Sequence, residues 1–224
     1  MYTVVADVEA AGGKGVAVVG DVRKEEDVQR AVDTAIEHFG GIDIAINNAG
    51  AIATEPTEEL SAKKFDLMMD INVRGTFLLT KAALPHLRKS ANPHVVTLAP
   101  PLNMNPHWLG AHPAYTLSKY GMTLLSLGWA AEYGEAGIGF SCLWPETYIA
   151  TSAVANLADG SLMSSSRSPE IMGDAAVEIL SRPPADVNGK CFIDSAVLAE
   201  AGVTDLARYG GGDNPILDIF VDKL

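Results

Sequence analysis

The sequence predicts an α/β fold in which helices cover both faces of a parallel sheet, the doubly wound arrangement. Three observations lead to this prediction. Apolar runs of strand length alternate with longer segments of helical period along the chain. The runs are almost continuously apolar, as are strands buried on both faces of a parallel sheet. Of the 224 residues, 48% are hydrophobic and 20% are charged, which is typical of one domain with a sizeable core.

The elements alternate regularly in order along the chain. Apolar runs predict strands over 17–21, 42–46, 94–98, 139–144 and 190–194. Helical spacing of apolar residues predicts helices over 25–39, 61–87 and 114–133, and Ser168-Pro169 is a typical helix start. A helix between each strand and the next is the pattern of repeated parallel β-α-β units.

The charge of the chain excludes some classes of partner. The formal net charge is −12 at pH 7. A surface this acidic repels phosphate backbones and anionic lipid, so we expect no nucleic-acid and no membrane partner. The stretch 90–118 contains no charged residue, but prolines interrupt it repeatedly. We therefore interpret it as core and cleft lining rather than as a membrane span.

Cysteine and histidine usage indicates the compartment and argues against a metal site. Cys142 and Cys191 are far apart in the sequence and form no CxxC pair, and no HExxH motif occurs. We therefore expect neither a disulfide scaffold nor a metal centre. The first residues lack the basic and apolar regions of a signal peptide. These features favour a reducing, cytoplasmic location.

Tyr115 and Lys119 are the first candidates for chemistry. They lie four residues apart in the helix predicted over 114–133, so they share one helical face. A lysine ammonium beside a phenol favours the phenolate and lowers the pKa of the phenol from roughly 10. Tyr115 is therefore a candidate general acid or base. The alternative is a half-buried tyrosine beside a solvated lysine.

Other candidates follow predicted strands or interrupt a helix. In an open parallel sheet, ligands bind outside the carboxyl ends of the strands. Asn47-Asn48-Ala49-Gly50 directly follows a strand and would let a ligand approach the backbone, or it is an ordinary turn. Asn72 is mid-helix, where asparagine is unfavourable, unless it simply faces the surface. Asp21 could contact a cofactor base or cap the following helix.

In this order, Asn47-Asn48-Ala49-Gly50, Asn72 and Tyr115-Thr116-Leu117-Ser118-Lys119 resemble the short-chain dehydrogenase/reductase family. The resemblance runs from about residue 2 to beyond Asp194. Within that family the chain most resembles the hydroxysteroid dehydrogenase-like protein two group. The segments that match this group are 65–69, 72–76, 100–106, 114–115, 118–122 and 143–145. The resemblance implies a Rossmann-like fold.

The resemblance also implies roles for particular residues. It implies a nicotinamide cofactor, NADP or NAD, and a small carbonyl or alcohol substrate. Tyr115 would exchange a proton with the substrate oxygen, Lys119 would hold the cofactor ribose, and Asn72 would hold a water of the proton relay. Asp21 would contact the adenine. The remaining cofactor contacts would come from Asn48, Ala49, Gly50, Pro145, Ile149 and Thr151.

The chain departs from the family pattern at three places. It has no GxxxGxG turn, and we expect residues 1–224 to be a single, N-terminally incomplete dinucleotide-binding-type domain that lacks the first strands and first helix of the family. Ala99 stands where the catalytic serine is expected. Asn103 or Asn105 could polarise a carbonyl in its place, or could be turn residues. Glu146 stands where a glycine usually follows Pro145.

Two functional hypotheses follow. The first is an oxidoreductase that transfers hydride between a nicotinamide and a carbonyl or alcohol through Tyr115. The alternative is a non-catalytic binding module or inactive fragment of the same fold, which the departures favour. We also expect a homodimer or homotetramer, because the helix over 114–133 is apolar around its circumference. Alternatively, the apolar tail around 216–220 covers that helix within one chain.

Overall fold

The computed structural model of the protein describes residues 2–157 and 162–222. At its centre is a sheet of four strands in the order β1-β2-β3-β4, and every pair is parallel. The strands are β1 (Ile44–Asn47), β2 (His94–Thr97), β3 (Gly139–Trp144) and β4 (Lys190–Ile193). Spatial neighbours are also neighbours along the chain, so each connection crosses over through helices. The predicted Rossmann-like α/β fold is confirmed.

Helices fill the connections. They are α1 (Tyr2–Ala10), α2 (Glu25–Phe39), α3 (Ala62–Met68), α4 (Gly75–Leu87), α5 (Pro106–Ala111), α6 (Pro113–Tyr133), α7 (Ser152–Leu157), α8 (Glu170–Leu180), α9 (Pro184–Val187) and α10 (Asp194–Glu200). The helix predicted over 25–39 matches α2, which ends at Gly40 with a φ of 82°. Within the described ranges, no helix is both long and apolar enough to cross a bilayer.

Two buried clusters lie on opposite faces of the sheet. Successive side chains of a strand point to opposite faces. Val95 of β2 accordingly packs in one cluster with α4 and α6, whereas Val96 packs in the other with α8 and α10. Every residue of β2 and β3 is buried. Helices therefore cover the sheet on both sides, as the apolar strands predict.

The predicted helix over 61–87 is interrupted in the middle. Ser61 caps the start of α3, where its side chain accepts the N–H of Lys64. Between α3 and α4, residues Met69–Arg74 form a π-helical turn. A Cβ at Gly75 would lie 3.1 Å from a methyl carbon of Val22, so this glycine permits close packing. Such π-helical turns inside α-helices are frequent at functional sites.

The predicted strand over 17–21 is wrong. This segment runs beside α2 without pairing to another strand, and the side chain of Val19 is 69% exposed. In the described part of the chain, β1 pairs along one edge only, with β2. Ile44 and Ile46 of this edge strand, which alternate with the buried Ala45 and Asn47, are 42% and 44% exposed. An apolar run becomes a strand only where a neighbour can exchange backbone hydrogen bonds with it.

Candidate active site

Helix α6 carries the two residues on which the functional prediction depends, Tyr115 and Lys119. Pro113 occupies the first turn, where its missing N–H is tolerated. The two side chains are one turn apart and buried, with 6% and 7% of their surface exposed. They line a cavity of about 220 Å³ together with Asn48 and Gly50 from the loop after β1. The structure therefore brings these predicted residues together beyond the carboxyl ends of the strands.

The loop after β1 reaches the cavity through Asn48 and Gly50. Ala49 is exposed and does not line it. A Cβ at Gly50 would lie 3.6 Å from Oδ1 of Asn72 and 3.8 Å from Nζ of Lys119. The missing side chain of this glycine therefore keeps open the space in front of the lysine.

Asn72 joins that loop to α6. It lies in the π-helical turn and is completely buried. Its Nδ2 donates to the carbonyl of Ala51 at 2.9 Å and to Oγ of Ser118 at 2.8 Å, and its Oδ1 accepts the N–H of Ala51 at 2.7 Å. The surface-facing alternative is therefore wrong. The amide positions the cavity wall, and the proposed hold on a relay water stays a prediction.

The ammonium group of Lys119 is confined. Its Nζ donates to the carbonyl of Leu98 at 2.8 Å and lies 5.2 Å from the centre of the Trp144 ring. Burial disfavours the charged form and lowers the pKa of Lys119 to about 8. The side chain is therefore still mostly protonated at neutral pH.

The pKa of Tyr115 moves in the direction opposite to the one expected. Burial raises it, and the negative charges that Asp218 and Tyr148 can carry raise it further. The expectation that Lys119 lowers this pKa is wrong for this structure, because desolvation of the phenol is the largest influence and the charges that act on it are negative. Tyr115 is held in its protonated form, which is the form of a proton donor.

Asp21 does not line this cavity. Its carboxylate accepts hydrogen bonds of 2.6–3.0 Å from the guanidinium of Arg23, which hold its pKa down at about 2. It lines a separate, largely apolar cavity of about 200 Å³ beside α2 and α4. The alternative capping role is wrong, because Lys24 occupies the N-cap position of α2. An adenine contact stays a prediction.

The predicted residues that follow β3 lie beside the cavity rather than on its wall. Pro145 and Ile149 are buried, and Ile149 packs in the cluster with α8 and α10. Thr151 is half-buried just before α7. The part of this stretch that does line the cavity consists of Trp144, Tyr148 and Val154.

Ala99 lies just after β2 in a small cluster of buried apolar residues. It is completely buried and packs with Met122 and Cys142. It does not line the cavity. Asn105, one of the two residues considered as a substitute for the serine, instead accepts the N–H of His107 as the cap of α5. Asn105 is therefore a helix-capping residue, a role that was not predicted from the sequence.

Further cavity residues that sequence reasoning missed lie in residues 215–222, which we call the C-terminal segment. Asp218 and Ile219 of this segment line the cavity, and Asp218 is only 8% exposed. Asn103, the other residue considered as a substitute for the serine, donates to the carbonyl of Phe220 at 3.1 Å and so holds this segment. The available signal was a lone carboxylate between the apolar Leu217 and Ile219.

Glu146 contacts other residues of the chain through both its side chain and its backbone. Its carboxylate lies 3.2 Å from the guanidinium of Arg167, and its backbone N–H donates to Asp194 at 2.8 Å. Burial raises the pKa of Asp194 to about 6. The sequence left open whether Glu146 binds a substrate cation or faces water, and the structure shows it paired with an arginine.

Comparison with known proteins defines the class to which this fold and site belong. A family model described as short chain dehydrogenase matches residues 1–161. The chain therefore belongs to the short-chain dehydrogenase family. Its similarity to hydroxysteroid dehydrogenase-like protein 2 of Xenopus tropicalis is 44% identity over 225 residues, covering 100% of this chain and 54% of that protein. The corresponding Danio rerio protein is 44% identical over 224 residues, covering 99% and 54%.

These relatives and a solved structure agree with the resemblance noted in the sequence. The chain spans about half the length of the curated relatives it matches. The crystal structure of a short chain dehydrogenase of Mycobacterium thermoresistibile is 44% identical, with a TM-score of 0.92, and the match covers 99% of this chain and 80% of that one. Both the family and the group recognised from the sequence motifs are thus confirmed.

Proposed function

We propose that the protein is a nicotinamide-dependent oxidoreductase that interconverts a carbonyl and an alcohol, with Tyr115 as the proton-transfer residue. The observation that carries the proposal is the shared cavity. Tyr115 and Lys119 line it together with Asn48 and Gly50, on the side of the sheet where ligands of parallel α/β folds bind. Membership of the short-chain dehydrogenase family supports the same reaction class.

In this proposal the nicotinamide end of NADP or NAD occupies this cavity. The cavity volume of about 220 Å³ is suited to the nicotinamide ring and part of the ribose attached to it. The space in front of Lys119 that Gly50 leaves free is where a ribose hydroxyl would accept a hydrogen bond. The sequence has no GxxxGxG turn to hold the diphosphate, so we propose that this end of the cofactor is held weakly.

The residues of the chain divide the proton chemistry between them. A bound nicotinamide supplies or accepts the hydride. In the direction of reduction, the Tyr115 hydroxyl donates its proton to the oxygen of the carbonyl as an alcohol forms. The ammonium of Lys119 then stabilises the phenolate that remains. In the reverse direction, the phenolate takes the proton back from the alcohol.

A binding module without turnover is the second candidate function. Ala99 favours it, because this buried residue has no hydroxyl to offer a substrate oxygen at the position where the resemblance implies a catalytic serine. The same cavity would then bind a nicotinamide or a small carbonyl compound without chemistry. The two candidates differ in turnover and agree in binding.

Turnover with a matched pair of variants tests the proposal. NADH and NADPH are combined with a panel of ketones, aldehydes and secondary alcohols, and absorbance at the nicotinamide band is followed. We expect Tyr115→Phe to reduce kcat by a factor of about 10²–10⁴ with cofactor affinity little changed, because only a hydroxyl is lost. Tyr120→Phe is the control, since its hydroxyl bonds Asn103 outside the cavity. Comparable turnover in wild type and Tyr115→Phe would contradict the assignment.

We also propose that the protein forms a homodimer or homotetramer through α6 and the neighbouring helices. The C-terminal segment covers one part of α6, where Phe220 packs against Tyr115 and Tyr120. Another part stays open, with Leu117 and Leu124 54% and 59% exposed. An apolar surface of this kind supports self-association. A cytoplasmic location stays a prediction based on cysteine usage; both cysteines are unbridged.

A further inference from the structure

Lys119 is a buried cation without a direct counter-ion. In residues 2–157 and 162–222, none of the ion pairs involves it. The partners of its ammonium are the Leu98 carbonyl and the face of the Trp144 ring. Burying a charge with so few partners is unfavourable. A further group must therefore help to keep the amine protonated.

Asp218 is the carboxylate among the described residues that line the same cavity. It is as buried as Lys119, and its own oxygen accepts one hydrogen bond, from the N–H of Ile219 at 2.7 Å. The other ionisable groups that influence this pair are Cys142 and Asp194, and Asp218 in turn influences Tyr115 and Tyr148. Of the two groups that influence the pair, only Asp194 is a carboxylate, and it acts on Asp218 rather than on Lys119.

The C-terminal segment is firmly docked over the cavity. The N–H of Asp218 donates to the carbonyl of Glu146 at 2.9 Å, and the indole of Trp144 donates to the carbonyl of Ile219 at 2.9 Å. Phe220 is buried and has a φ of 75°, a conformation that is unfavourable for a residue with a side chain. Such strain persists only where surrounding contacts enforce it, and it concentrates at functional sites.

We propose that Asp218 is the counter-ion of Lys119, delivered by the C-terminal segment, and that it acts as a positioning residue for the Tyr115–Lys119 pair. The catalytic part of this inference rests on the proposed function. The pair acts through charge: the carboxylate keeps the ammonium protonated, and the ammonium stabilises the Tyr115 phenolate during turnover.

The electrostatics of the cavity support this arrangement in both directions. Burial lowers the pKa of Lys119, and the charge of Asp218 opposes that fall. Burial raises the pKa of Asp218 to about 7, and the charge of Lys119 opposes that rise. Each group thus favours the ionised form of the other in a setting that disfavours both.

The test reads the pKa of Lys119 directly, with neither cofactor nor substrate present. The full chain is labelled with ¹³C-lysine, the Lys119 resonance is assigned by its loss in Lys119→Met, and its Cε shift is titrated by NMR. In Asp218→Asn we expect the pKa of Lys119 to fall by about one unit or more. Asp218→Glu keeps the charge and should restore most of the value. Asp213→Asn is the matched control, because it removes an exposed carboxylate just before the same segment.

The outcomes separate this proposal from the proposed function. An unchanged pKa in Asp218→Asn, or an equal fall in Asp213→Asn, would overturn the counter-ion assignment. If Asp218→Asn fails to fold, Asp218→Ser is titrated under the same criterion. Where turnover is found, the alkaline limb of its pH profile should move to lower pH in Asp218→Asn and return in Asp218→Glu. If the pKa of Lys119 falls in Asp218→Asn but the chain shows no turnover, the counter-ion assignment stands. Only the proposed oxidoreductase function is then overturned.

Discussion

The two edge strands of the sheet, β1 and β4, differ in how far other parts of the chain cover them. Phe192 of β4 packs into the cluster formed with α8 and α10, and the guanidinium of Arg182 lies 5.6 Å from its ring centre. At β1, Ile44 and Ile46 are more than two-fifths exposed, and the segment over 17–21 stays unpaired. Covered edges resist unwanted pairing and add core, whereas open apolar edges do neither.

The candidate site residues are divided in the same way between a covered region and an exposed one. The residues proposed for proton transfer, Tyr115 and Lys119, lie on α6, where Phe220 of the C-terminal segment packs against Tyr115. Asp21, assigned by resemblance to the adenine, lies beside the open edge in a separate cavity. In this structure Tyr115 and Lys119 thus lie buried in a well-packed region, whereas Asp21, the residue expected to contact the adenine, is only half-buried.

Stability should be distributed as unevenly as the packing. Ile179→Ala removes a completely buried side chain from α8 and should lower the free energy of unfolding by about 2–5 kcal/mol. Val19→Ala shortens an exposed apolar side chain in the unpaired segment over 17–21, which we call the open side. It should change the free energy of unfolding by less than about 0.5 kcal/mol. Urea unfolding followed by circular dichroism measures both. Equal losses would show that the open side is packed in solution.

The two regions should also respond to pH with opposite signs. The folded pKa of Asp218 is about 7, above the ordinary 3.8, so the folded state holds an extra proton between those values. The free energy of unfolding therefore falls as pH rises from about 4 to 7. Asp218→Asn should flatten this fall, and Asp194 should account for part of what remains.

Asp21 provides the contrast on the open side. Its folded pKa of about 2 lies below 3.8, so the stability it contributes is present above pH 4 and is lost as pH falls towards 2. Arg23→Gln should remove this acid-side dependence and leave the dependence between pH 4 and 7 unchanged. Urea midpoints at several pH values measure both variants. A fall in stability from pH 4 to 7 that survives in Asp218→Asn at full size would contradict the assignment.

Cofactor affinity sharpens the comparison further. We expect this 224-residue chain to bind NADH and NADPH more weakly than micromolar, since it has no glycine-rich diphosphate turn. Gly50→Val, which fills the space before Lys119, should weaken binding more than Asp21→Ala does. Calorimetry and nicotinamide fluorescence measure the affinities. A larger loss in Asp21→Ala would place the cofactor on the open side, and micromolar affinity would mean that another segment holds the diphosphate.

The smallest effect on the fold is expected from substitutions on the outer surfaces of the helices. Leu124 on α6 and Val177 on α8 are both about three-fifths exposed. Leu124→Glu should shift the protein towards monomer, because it places a charge in the proposed α6 interface. Val177→Glu should leave the assembly unchanged. Light scattering at several concentrations decides, and a wild-type monomer at every concentration would refute the association.

Local patterns explain what could be predicted from the sequence. The strand at 139–144 and the helix over 25–39 have clear periods and clear end signals, and both have the predicted bounds. The Tyr115–Lys119 pair is local, so helical spacing alone brings it together. The predicted strand over 17–21 was wrong because strand formation depends on a second strand elsewhere in the chain with which to pair. Asp218 was missed because nearly a hundred residues separate it from Lys119, and no local rule connects them.

The docking of the C-terminal segment has a consequence for how the site is made. Residues 215–222 leave the ribosome after every other described part of the chain. The sheet and the two buried clusters on its faces contain no residue of this segment, whereas the cavity wall near Lys119 does. Maturation of the cavity is then a late event, separable from formation of the sheet. Removal of this segment alone would uncover Tyr115, Tyr120 and Trp144, against which Phe220 packs, and would take the Asp218 carboxylate out of the cavity.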